Sequence, residues 1–118
     1  FDELRTVVTD RSIETPFRTG WQADYPSMLN YLGPLYGTGA GSNDGDYSNP
    51  EFDRLVTEAA TAEGDERYDL IGQAQAVLME DLPAIPLWYQ NATAVTNPDL
   101  QGFEFNWQSK PDYYALSK

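Results

Sequence analysis

From Asn49 to Pro83 the chain is punctuated as two consecutive helices with almost nothing between them. Asn49 supplies an N-cap side chain, and Pro50 suits the first helical position, where a missing N–H costs no bond. Phe52, Leu55, Val56 and Ala59 then recur on one face, to about Ala62. Glu63-Gly64 breaks the pattern. Asp65 is placed to cap a second helix running to about Asp81, with a stripe of Tyr68, Ile71, Ala74, Leu78 and Leu82, and Pro83 ends it. So short a connection implies an antiparallel pair. The apolar residues of the pair are assigned to core rather than to a ligand site.

The remaining segments are shorter. Phe1 to about Arg11 has Phe1, Leu4, Val7 and Val8 at helical spacing. Pro16 stops that helix, because Thr15 before it favours extended backbone. Pro16 to Trp21 reads as a strand, and Gly20 suggests that another backbone or a ligand approaches closely. Pro26 to about Leu32 reads as a helix that Gly33-Pro34 terminates. The Gly-rich run from Gly37 to Asp46 reads as a mobile surface loop. Ala84 to Tyr89 and Ala92 to Thr96 read as strands, the first at a sheet edge because Pro86 lacks a donor. Phe103, Phe105 and Trp107 alternate with polar residues, as in a strand with one buried face. The stretch from Trp107 onward reads as loose.

Composition removes several classes of function. In 118 residues there are 19 acidic and 7 basic side chains, for a net charge of −12. Such a surface repels nucleic-acid phosphates and anionic lipid, so neither is an expected partner. The charge is compatible with a cationic ligand group, and it keeps a protein soluble. With neither Cys nor His there is no disulfide, no zinc set and no Ser-His or Cys-His catalytic pair. The loop from Asn43 to Asp46 lacks the spacing of a calcium-binding EF-hand and the Gly-Lys-Ser/Thr ending of a phosphate loop. No cofactor or metal is expected. No apolar run is long enough for a membrane helix.

The chemistry-bearing stretch is Gly20-Trp21-Gln22-Ala23-Asp24-Tyr25-Pro26. A carboxylate between two large aromatics is suited to hold an amine, since a charge pair strengthens in a partly dry cleft. On these seven residues alone the favoured reading is a structural turn, with Trp21 and Tyr25 in the core and Asp24 as its cap.

Trp21 to Pro26 is followed by Asn49-Pro50-Glu51-Phe52-Asp53-Arg54-Leu55, then by Glu66-Arg67-Tyr68 and Gln73-Ala74-Gln75 on a helix. Glu80-Asp81-Leu82-Pro83-Ala84-Ile85-Pro86-Leu87-Trp88-Tyr89 and Leu100-Gln101-Gly102-Phe103 come after. In this order and spacing the segments resemble the C-terminal part of the dipeptide- and oligopeptide-binding receptors of bacterial ABC importers (extracellular solute-binding protein family 5), over about Phe17 to Phe103. One departure is Ser27-Met28 after Pro26, where the family often has Asp-Pro.

The resemblance implies an α/β chain, a lobe fragment of the type II periplasmic-binding-protein-like fold with helices packed on a small mixed sheet. Residues 1–90 would be part of one lobe, and 91–118 would return toward the other. It implies a C-terminal fragment of a longer receptor, exported as a cell-surface lipoprotein or to the periplasm. Its partners would be a peptide or peptide-like ligand, a membrane ABC permease and the remaining lobe, whose absence would leave Leu87, Trp88, Phe103 and Phe105 bare. It implies that Asp24 pairs with the ligand's α-amino group, that backbone near Gly20, Trp21 and Gln22 bonds the ligand in strand fashion, and that Trp21 lines a pocket. Two other readings stand beside it. One is an acidic helical module that docks a basic protein. The other is a hydrolase or lyase pairing Asp24 with Asp44 or Asp46, for which the sequence offers no activated base or nucleophile.

Overall fold

A computed structural model describes residues 2–118, so the expectation for Phe1 lies outside the described residues. The chain divides between Ile85 and Pro86 into two compact units.

The first unit holds four helices: α1 (Asp2–Thr9), α2 (Leu29–Tyr36), α3 (Pro50–Thr61) and α4 (Gly64–Asp81). The α3–α4 hairpin forms as the punctuation requires. Asn49 Oδ1 accepts from the Glu51 and Phe52 amides at 2.9 and 3.2 Å, so the cap is made by the residue the sequence offers. At the C-terminus of α4, Leu82 turns left-handed (φ 45°) and Pro83 prevents continuation. Phe52, Leu55 and Ala59 on α3 pack with Ile71 and Ala74 on α4 and with Leu29 and Leu32 on α2. Phe52 is the centre, with the Tyr36 and Tyr47 rings edge-on at 6.5 and 5.6 Å.

Two details of the hairpin differ from expectation. Asp65 lies in the first turn of α4, and the cap position is Glu63, whose side chain makes no capping bond. Tyr68 and Leu82 are exposed, so the buried stripe of α4 narrows to Ile71 and Ala74, with Leu78 half-buried beside them. α2 also runs later than expected, through Gly33-Pro34 to Tyr36. Gly33 has no Cβ to meet the proline ring, which relieves much of the usual clash before proline. The helix ends where the Gly37 amide donates to Gly33 O at 3.0 Å.

Asp81 closes the open end of the hairpin. Its Oδ2 accepts from Tyr47 Oη at 2.6 Å and from Asn49 Nδ2 at 2.8 Å. A carboxylate is unfavourable at its own helix C-terminus, but here it also faces the start of α3, where negative charge is favourable. The Tyr47 and Asn49 bonds hold the Asp81 carboxyl below its usual range. Burial, followed by the Asp81 contact, pushes the Tyr47 phenol up to about 12. The depressed carboxyl contributes stability above its unfolded pKa and loses it as pH falls through the lower folded value. The raised phenol contributes below its unfolded pKa and loses that contribution as pH rises through about 12. Melts of Tyr47→Phe across pH should therefore lose sensitivity on both the acid and the far alkaline side. An unchanged pH profile would remove the linkage.

The Gly-rich loop is held rather than free. Buried Asn43 donates from Nδ2 to Gly37 O (3.0 Å) and Tyr47 O (2.7 Å), and its Oδ1 accepts from the Tyr47 amide. Arg11 reaches across to Asn43 O and pairs with Asp46 at 2.9 Å and Asp44 at 3.7 Å. Arg11 itself is left-handed (φ 55°) and ends α1, with Ser12 N bonding Val7 O and Arg11 N bonding Val8 O.

No strand forms at Pro16–Trp21, Ala84–Tyr89 or Ala92–Thr96. A strand needs a regular ladder of backbone bonds, and among the described residues these segments form none. The expected mixed sheet is replaced by one antiparallel pair in the second unit, β1 (Glu104–Phe105) with β2 (Pro111–Asp112). An isolated bridge between Gln101 and Ser117 extends the hairpin, so the C-terminal stretch is tied down rather than loose. Gly102 (φ 73°) is required there, since a Cβ would sit 2.2 Å from Ala115 O. Phe103 and Phe105 share one face at 5.2 Å, as their alternation suggests. Phe103 is half-buried, whereas Leu87 (64%), Trp88 (62%), Trp107 (57%) and Phe105 (36%) are exposed.

Candidate functional site

The segment Gly20–Asp24 runs without regular structure into the bend before α2. Its conformation is fixed by a residue that the sequence reading did not single out. Asn30, in the first turn of α2, is only 3% exposed. Its Oδ1 accepts from both Trp21 Nε1 and the Asp24 backbone amide, each at 3.0 Å. One buried amide oxygen therefore clamps the indole and the acidic turn to the helix. Ser27 assists: its Oγ accepts from the Leu29 amide at 3.3 Å, so the departure from Asp-Pro after Pro26 does not abolish the turn.

This arrangement separates the roles of the expected site residues. Trp21 is half-buried and held by its ring nitrogen. Asp24 is exposed, and its carboxylate accepts no hydrogen bond and makes no ion pair among the described residues. The cap of the turn is Asn30, acting on the backbone of Asp24, and not the Asp24 side chain. Gln22 is exposed. Gly20 is exposed too, and a Cβ added to it would meet nothing within 4 Å among the described residues.

Gly20 lies on the wall of an open recess of about 340 Å³ between α1 and the Phe17–Gly20 backbone, with Leu4 and Val8 on its apolar side and Arg5, Arg18 and Asp44 among its polar groups. Trp21, Gln22 and Asp24 are not among its lining residues. A second recess of about 350 Å³ shares Phe17 and Asp44 and adds Gly45 and Asp46. Asp24 lines neither recess with Asp44 or Asp46, and those two are engaged by Arg11. A paired-carboxylate catalytic centre therefore has no geometric support. Among the described residues no cluster of three or more acidic side chains could hold a metal, and no helix is long and apolar enough to cross a membrane.

Removing the clamp should be measurable. Asn30→Ala strands the Trp21 Nε1–H and the Asp24 amide, and is expected to cost about 1–3 kcal/mol. Urea melts give that number, and the indole emission should shift as the ring loosens. An Asn30→Ala protein as stable as the parent, with unchanged emission, would show that the clamp holds nothing.

No family model matches the chain. Among characterised proteins, it is 30% identical over 102 residues to the probable di/tripeptide-binding protein 5 of Pseudomonas aeruginosa, covering 83% of this chain and 19% of that protein. It is 28% identical over 86 residues to the oligopeptide-binding protein OppA of Bacillus subtilis, covering 72% of this chain and 16% of OppA. This chain belongs to the family of the oligopeptide- and dipeptide-binding proteins. Relatives with other named ligands also match, such as the heme-binding protein A of Haemophilus influenzae, 33% identical over 87 residues and 71% of this chain. The chain thus spans less than a fifth of the length of these binding-protein relatives.

Proposed function

We propose that this chain is part of the solute-binding component of an ABC importer. That receptor captures a peptide or peptide-like solute outside the cytoplasm, as a lipoprotein or in the periplasm, and hands it to a membrane permease. It is a binder and not an enzyme. Residues 1–90 contribute to one lobe and 91–118 run toward the other, and the remaining lobe completes the cleft. Gly20, Trp21 and Gln22 present backbone to an extended ligand, and Asp24 receives its ammonium. Main-chain bonds then accept many sequences, while the charge pair fixes register.

The observation that carries this reading is the unpaired Asp24 carboxylate on a turn braced by Asn30, in a chain whose relatives include named peptide binders. An acid with no internal partner is available to a ligand, whereas a structural acid would be engaged.

Tryptophan fluorescence tests it. In the longest translated product carrying this segment, Trp21 is isolated by replacing Trp88, Trp107 and any further tryptophans with Phe. A peptide with a free amino terminus should change the Trp21 emission saturably. No response to any free-amine peptide, in a protein that melts normally, would count against peptide capture through this segment.

A further inference from the structure

We propose that the Asp44–Gly45 bond is a site of spontaneous isoaspartate formation, which would remodel both recesses of the first unit. Asp44 is the one aspartate in the sequence followed by glycine, and no asparagine is followed by glycine. The reaction needs the amide nitrogen of the next residue to attack the side-chain carboxyl. A following side chain hinders that attack, and a hydrogen bond from the attacking amide restrains it.

Neither obstacle is present here. Asp44 and Gly45 are the central residues of a turn closed by the Asp46 amide donating to Asn43 O at 3.2 Å. That bond passes over Gly45, whose own N–H makes no hydrogen bond among the described residues. Gly45 is exposed, and a Cβ built on it would meet nothing within 4 Å, so a five-membered ring has room. The recess lined by Asp44, Gly45 and Asp46 admits water. Other aspartates are less exposed to the reaction. Asp53, Asp65 and Asp69 lie inside helices, the Leu100 amide after Asp99 is bonded to Asn97 O, and Asp24 is followed by a tyrosine.

The chemistry balances without an added reagent. Gly45 N attacks Asp44 Cγ, an N–C bond forms, and the carboxyl C–OH bond breaks. The hydroxyl leaves with the amide proton as water, giving a succinimide. Water then adds to either ring carbonyl. Opening at the former backbone carbonyl carbon routes the chain through Cβ and Cγ and leaves a carboxylate on Cα, with no net change in mass. One extra methylene enters the turn, and the carboxylate no longer sits on a side chain that reaches Arg11, now 3.7 Å away. Asp44 lines both recesses, so both walls move.

The test is incubation of the whole chain, warm and at neutral pH. Isoaspartate is read by labelling with an isoaspartyl methyltransferase and a radioactive methyl donor, and by a proteolytic peptide of unchanged mass and altered retention. Isoaspartate should accumulate at Asp44 several-fold faster than at any other aspartate. Gly45→Ala, at a position outside the left-handed region and with room for a Cβ, should melt like the parent and slow the reaction several-fold. Asp44→Glu should abolish it at this bond, because the corresponding ring has six members. Labelling spread evenly over the aspartates, or an unchanged rate in Gly45→Ala, would overturn the proposal.

Discussion

Phe52→Ala is expected to destabilise the first unit by about 3–5 kcal/mol, the range for deleting a fully buried aromatic. The side chain is 0% exposed and joins three helices. Tyr36 and Tyr47 stand edge-on to the ring and to each other, so its loss removes two of the three aromatic contacts in the cluster as well as the buried area. The unit cannot easily collapse into the gap. Tyr47 is tethered through its hydroxyl to Asp81, and the Phe52 backbone amide is itself part of the Asn49 cap. A domain of this size has a total stability of about 5–15 kcal/mol, so the loss would leave a substantial unfolded population. Urea unfolding gives the value. Tyr68→Ala, at a residue 73% exposed on the same hairpin, is the control and should change stability by about 0.5 kcal/mol at most. A Phe52→Ala protein within about 1 kcal/mol of the parent would mean that the cluster is not the organising core.

Much of this core is legible in the sequence, for a definite reason. Phe52, Leu55 and Ala59 repeat at the helical period, and Asn49-Pro50 and Pro83 are local signals whose meaning depends on one or two neighbours. The strands are not legible in the same way. Ala84–Tyr89 has strand composition, but a strand exists only where a second one pairs with it, and pairing is not encoded in a six-residue window. Asn30 and Asn43 escape for a related reason. Each is a single polar residue whose side chain bonds to groups four to nine positions away, and no periodicity marks such a bond in advance. Both are nevertheless buried asparagines, and no fully buried side-chain polar atom among the described residues lacks a partner. A buried polar group of that kind holds a specific geometry, because any rearrangement strands it. One of them shapes the turn bearing Asp24, and the other pins the loop bearing Asp44. The local geometry around the candidate binding segment therefore rests on side-chain bonds that only the folded chain reveals.

Asp24→Asn should weaken binding of a free-amine peptide to the complete receptor by about 2–5 kcal/mol, the cost of breaking one partner out of a desolvated charge pair. It should barely affect an N-acetylated peptide, which has no ammonium to lose. The substitution keeps the size of the side chain and leaves the backbone amide free to donate to Asn30 Oδ1, so the turn has no reason to change. Stability should be unaltered for the same reason, because the carboxylate accepts no bond within the described chain. A purely structural Asp24 predicts a different pair of results: a stability loss of about 0.5–2 kcal/mol from a missing cap, and equal small effects on both ligands. The observed bonding already moves the cap to Asn30, which makes the two accounts diverge in calorimetry as well as in melting. Equal affinity losses for the free and acetylated peptides would dismiss Asp24 as the ammonium anchor while leaving the family membership untouched. A loss confined to the free amine, with an unchanged melt, would assign the register of the bound solute to this single carboxylate.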